Sequence, residues 1–301
     1  MTLIYVYNTV KKDRKIFKYK VRIDKWVKSD MTQATQQVVK LYKNVFLDLV
    51  NKIEKNEKEI QEIVNVKLTQ YKNADDNIQK ILKTQLNTIM GEGEEIIYTI
   101  NTFKKNKDSN YIYNFYVSAS ATLRAYLIYK TLSANTDEKL ENAINTRLQL
   151  LTDFSKLFLQ YLIKVKNITI NDVYNNINNK LDRAINKATK LLNEIPNLLN
   201  KLKNSKDTNN VNLAYANLLH KAQDVLKQKI EQFNKNEIKD IIEYLIEFNA
   251  YVNLVNIITY NIVEIGEQKF TNDTVESAKQ ANNFSFTLSR ELLDIVLLLT
   301  L

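Results

Sequence analysis

"MGEGEEII", residues 90–97, holds two of the three glycines in the 301-residue chain, Gly91 and Gly93. Its reading decides how many helices the chain makes. Gly91 at the end of an apolar-periodic stretch predicts a left-handed helix cap. Gly93 would then complete a tight turn, and Glu94 and Glu95 would open the next helix, where carboxylates favour the positive end of the dipole. The stretch therefore reads as a hinge or turn at Gly91 and Gly93, between helices over 74–90 and 94–105. A phosphate cradle is excluded. It needs converging backbone N–H groups and a following lysine, and here Glu92, Glu94 and Glu95 would repel the anion. The three carboxylates are hard ligands for a cation, but the helix start explains them without one.

The glycines matter because the chain has so few flexible residues. Besides these two there is Gly266, and the one proline is Pro196. Average usage is about 7% Gly and about 5% Pro; hairpins and binding loops consume both. The scarcity points to a mostly helical protein. Forward from the glycines, helices read over 111–133, from the spacing Asn135/Glu138 to 166, from Thr169/Asp172 to 194, afresh at Pro196, over 211–234, over 237–265 with Gly266 as its cap, and from Asp273/Glu276 to the end. Backward, Val38, Tyr42, Val45, Leu49 and Ile53 predict one apolar face of a long helix from Thr32. That pattern thins through "EKNEKE", with a break near Asn56 as the alternative to a continuous helix, and resumes at Ile60. The loop 203–210 is the best sub-boundary.

The first 28 residues differ. "TLIYVY" and "IFKYKVRI" flank the charged "KKDRK", and the second run alternates with the period of a half-buried strand. Phe17, Tyr19, Val21 and Ile23 fall on one side, and Lys18, Lys20 and Arg22 on the other. The expected fold is an all-α antiparallel bundle of about nine mostly long helices, residues 29–301, with a short N-terminal β-hairpin, residues 1–28, packed on it.

Composition removes several chemistries. Without cysteine there are no disulfides and no thiolate-ligated metals. One histidine, His220, cannot supply a His-Glu-x-x-His site or paired Glu-x-x-His motifs; it reads as a surface or packing residue. Glu243 and Glu247, one turn apart, read as solvated carboxylates rather than a shared metal site. No catalytic residue, metal or cofactor is expected. The helix over 238–265 is apolar almost all round, so it should lie centrally. Its charges and its stripe of Asn249, Asn253 and Asn256 argue against a membrane span; a neighbouring helix or solvent should satisfy the stripe.

Charge carries the functional signal. Residues 1–30 hold nine cations against three aspartates, a net +6 of the chain's +9. Lys11, Lys12, Arg14 and Lys15 lie in the turn, and Lys18, Lys20 and Arg22 on the exposed ribbon face. Such a patch suits nucleic-acid phosphates, an anionic membrane surface or an acidic protein neighbour, and lysines also guard a strand edge. The 39 asparagines, with abundant Lys, Ile and Tyr, indicate an AT-rich genome. The expectation is a non-enzymatic structural, assembly or interaction protein of a virus or mobile element, an archaeal virus among the sources. It would act inside the cell or in a virion, since no secretory signal is legible. A nucleic-acid-binding accessory protein is the alternative, and a membrane-active helical protein ranks third.

Overall fold

The computed structural model describes residues 33–71, 77–105, 110–133, 137–166, 170–203, 210–266 and 270–299. The predicted hairpin, residues 1–28, lies outside them. Eight helices make up the described chain: α1 (Gln33–Gln70), α2 (Asn77–Lys104), α3 (Tyr111–Ser133), α4 (Glu138–Lys166), α5 (Ile170–Lys203), α6 (Asn210–Asn234), α7 (Ile241–Ile265) and α8 (Asn272–Leu299). Among the described residues the architecture is all-α, with eight helices rather than about nine.

Two predicted interruptions are absent. α2 runs straight through Gly91 and Gly93, and neither glycine adopts the positive φ of a left-handed cap. The stripe Leu86, Ile89, Gly93, Ile96 and Ile100 is buried on both sides of the glycines, so packing holds the backbone helical where local propensity would end it. α5 likewise continues through Pro196. Ile195, Leu198 and Leu199 around it are buried, while the proline is exposed. The proline ring thus lies on the outer side of the helix, away from the core contacts that hold α5 together.

Helix ends use other residues than the predicted pairs. The Asp137 carboxylate accepts the Leu140 amide at 3.0 Å to start α4, and Asn135 of the predicted pair lies outside the described residues. The Thr271 hydroxyl, not Asp273, accepts the Thr274 amide at 3.3 Å at α8. α7 begins at Asp240, whose carboxylate accepts from the amides of Ile242 and Glu243. It ends as expected at Gly266, where φ is 59° and the amide bonds the Ile262 carbonyl. Asp240 also pairs with Lys156 of α4. Asp240→Ala is therefore expected to cost about 1–2 kcal/mol, seen as a lower urea midpoint.

The helices pack as two four-membered circuits. α1, α2, α3 and α4 each touch the next, and α4 closes on α1; α5, α6, α7 and α8 do the same, with α8 closing on α5. α3 against α7 joins the circuits. The small residues of α3 permit this: Ser118, Ala119 and Ser120 are buried, and the Ser120 hydroxyl reaches the Ile246 carbonyl at 3.2 Å. Cross-helix bonds show antiparallel neighbours. Lys229 pairs with Glu247 at 2.5 Å and Tyr215 meets Asn261 at 3.1 Å between α6 and α7. Between α5 and α8, Lys187 pairs with Glu291 at 2.6 Å and Lys201 with Asp273 at 2.8 Å.

α7 is central, as its all-round apolarity predicts. Ile241–Glu264 is long and apolar enough by composition to cross a membrane, and 72% of its most apolar window is buried in the bundle. Its asparagine stripe is taken up by α8. Ser289 bridges Asn249 at 3.0 Å and Asn253 at 3.1 Å. Asn256 donates to Ser285 at 3.2 Å, and Asn282 donates to the Asn256 carbonyl at 3.0 Å. The apolar ending of α8 is core: Ile295, Val296, Leu297 and Leu299 are buried. In the first circuit, Phe46, Phe103, Tyr111, Phe115, Phe154 and Phe158 stack edge to face across all four helices, Phe115 against Phe154 at 4.9 Å. The predicted face of α1 is rotated. Tyr42, Phe46, Val50 and Ile53 are buried, while Val45 is 42% exposed.

Candidate functional site: a buried ion pair and its cavity

The buried faces of α1, α2 and α4 each carry, at one level, a residue unlike the aliphatic ones around it. On α1 it is Glu57, between Ile53 and Ile60; on α2 it is Gly93, between Ile89 and Ile96; on α4 it is Arg147, between Ile144 and Leu151. The antiparallel packing sets all three at one level. The Arg147 and Glu57 side chains are 1% and 5% exposed.

The guanidinium is nearly saturated. Nε donates to Glu57 Oε1 at 2.9 Å, and Nη2 donates to Glu57 Oε2. Nη1 donates to the Ile89 carbonyl at 2.9 Å and the Thr122 hydroxyl at 3.1 Å. One charged pair thus ties four helices together through a fork that lysine could not reproduce. Burial raises the Glu57 carboxyl above its usual range, and the Arg147 charge and hydrogen bonds pull it back.

Gly93 explains how the pair fits. A Cβ there would lie 2.8 Å from Glu57 Oε2 and 2.9 Å from Arg147 Nη2. Gly91 is different, with nothing within 4 Å of a Cβ. The neighbouring polar groups extend the layer. Asn56 donates to the Ala143 carbonyl at 3.1 Å, which turns the thinned "EKNEKE" patch into a buried polar contact instead of a helix break. Burial raises the Glu92 carboxyl as well, with Ser118, Arg124 and Arg147 pulling the other way. The layer divides the apolar interior. Ile53, Ile96, Ile100 and Leu151 belong to the large core, and Ile60, Leu86, Ile89 and Ile144 to a smaller one at the other end of the first circuit.

Beside the pair lies a cavity of about 270 Å³ lined by Glu57, Ile60, Gln61, Met90, Gly93, Glu94, Ile97 and Arg147. Glu57, Gly93 and Arg147 are its buried floor, and the exposed Gln61 and Glu94 form its mouth. The residues singled out in the sequence fare unevenly. Gly91 and Gly93 are helical, and Gly93 is in the site. Glu94 lines the cavity. His220 is a surface residue, 4.0 Å from Asp224. Glu247 is taken by Lys229, which sits 5.1 Å above the Tyr244 ring. Among the described residues, no group of three or more His, Asp or Glu could hold a metal. Lys11, Lys12, Arg14, Lys15, Lys18, Lys20 and Arg22 lie outside the described residues.

Sequence reasoning missed Arg147 and Glu57. The available signal was a charge at a core position of each stripe, Ile144–Arg147–Leu151 and Ile53–Glu57–Ile60. No known protein family, curated protein sequence or solved structure matches the chain.

Proposed function

We propose that the chain is a non-enzymatic structural or interaction protein in which the helical bundle is a rigid body and residues 1–28 make the contact with another copy or a protein partner. The observation that carries this reading is the concentration of charge: a net +6 of the chain's +9 falls in the first 30 residues. The alternating "FKYKVRI" supports it, because a strand with one apolar and one basic side can add to a neighbour's sheet edge. The bundle supplies the rigidity. Its buried charges are consumed within it, Arg147 by Glu57 and Lys229 by Glu247. The AT-rich composition supports a viral or mobile-element source, with action in the host cytoplasm or a virion.

Light scattering tests this. The full chain at micromolar concentration is expected to show a concentration-dependent mass above the monomer, and a chain lacking residues 1–28 a monomer. A monomer in both cases contradicts self-association. The same cations also fit nucleic-acid phosphates. On that second reading, duplex or single-stranded nucleic acid binds with steep salt dependence, and Lys18→Glu, Lys20→Glu and Arg22→Glu together abolish it. The basic side carries no aromatic residue, since Phe17 and Tyr19 fall opposite, so base stacking is not its mode.

A further inference from the structure

We propose that the cavity beside the Glu57–Arg147 pair binds a small organic cation, an ammonium group on an apolar body. This goes beyond the interaction role and does not depend on it.

The charge of the occupant follows from the lining. Among the described residues that line it, Arg147 is the one cation, and Glu57 neutralises it. Of the guanidinium's five N–H groups, four are spent on Glu57, Ile89 and Thr122. Glu94 at the mouth is therefore the uncompensated charge. An anion would meet that carboxylate, the backs of the Glu57 oxygens and a guanidinium with little left to give. A cation meets the Glu94 carboxylate at the mouth, the spare lone pairs of Glu57 at the floor and the Gln61 amide oxygen. Charge-assisted hydrogen bonds to carboxylates are the stronger kind.

The rest of the lining sets the shape. Ile60, Met90 and Ile97 are apolar walls, and Met90 is a flexible, polarisable side chain that adapts to a ligand. An apolar cavity of about 150 Å³ holds benzene. The 270 Å³ here therefore suits a body of about ten heavy atoms by the same ratio. Gly93 keeps the floor open, since a side chain there would occupy the space in front of the pair.

The chain's three methionines, Met1, Met31 and Met90, make the test direct. The full-length protein with methyl-labelled methionine is titrated with phenethylamine, phenethyl alcohol and phenylacetate, which differ mainly in charge. Met90→Leu identifies the reporting resonance. Phenethylamine is expected to shift the Met90 methyl saturably. Phenethyl alcohol should bind about tenfold more weakly, and phenylacetate should not bind, given the single uncompensated carboxylate. Glu94→Gln, at an exposed position, should weaken phenethylamine about tenfold and leave phenethyl alcohol unchanged. No Met90 shift with phenethylamine overturns the proposal. So does equal binding of the three compounds, or an amine affinity indifferent to Glu94→Gln.

Discussion

Arg147→Ala is expected to lower stability by about 3–5 kcal/mol, because it leaves the Glu57 carboxylate buried with no counter-charge. The side chains are 1% and 5% exposed, so water entering through the cavity would replace only part of what the guanidinium supplies. The substitution also strips the Ile89 carbonyl and the Thr122 hydroxyl of their Arg147 bonds, and each buried group left without a partner adds to the cost. Urea denaturation followed by helical circular dichroism reads the loss. A cost below about 1 kcal/mol would mean that Glu57 is wetter than its burial implies. The pair's net value is a different quantity. Desolvating two charges offsets much of their attraction, and well-packed apolar replacements of buried pairs are often neutral or better. The double variant Glu57→Leu with Arg147→Met is therefore expected to recover most of what Arg147→Ala loses. That outcome would show that the pair aligns four helices at one level more than it adds stability.

Gly93→Ala carries the second large effect, a loss of about 1–3 kcal/mol from overpacking. The added methyl would lie 2.8 Å from Glu57 Oε2 and 2.9 Å from Arg147 Nη2. Both atoms end long side chains that would normally swing aside. Here they are pinned to one another, and Arg147 is held further by Ile89 and Thr122. Yielding to the methyl means breaking charged hydrogen bonds between buried groups. The usual advantage of alanine over glycine within a helix, about 1 kcal/mol, is too small to compensate. Combined with Arg147→Ala, most of the Gly93→Ala cost should vanish, because the crowding partner is gone.

The sequence carried the helical class, most helix positions and the central place of α7, since these follow from glycine and proline scarcity and from period. It carried the fate of the Asn249, Asn253 and Asn256 stripe as a choice between solvent and a neighbouring helix, and α8 resolves that choice. Where the reading failed, tertiary packing outweighed a local signal. Gly91, Gly93 and Pro196 are breakers by propensity, yet each lies in a helix whose apolar stripe continues on both sides. The site was the least legible part. A glutamate within "EKNEKE" looks solvated, a lone arginine in "NTRLQLL" looks like a surface residue, and Gly93 looks like a turn. Each takes its meaning from the other two, and their meeting depends on the register of three helices far apart in the chain.

The central claim is that α2 is one uninterrupted helix in which Gly93 makes room for the buried pair, and the two glycines themselves provide the most direct test. Gly91→Ala and Gly93→Ala are compared by urea midpoint under identical conditions. With nothing within 4 Å of a Cβ at Gly91, Gly91→Ala is expected to stabilise by about 0.5–1 kcal/mol, while Gly93→Ala destabilises. Opposite signs at two positions only two residues apart support the account. If both substitutions destabilise, the stretch is the tight reversal that local propensity predicts; if both stabilise, Glu57 and Arg147 do not meet at Gly93. Either result contradicts it.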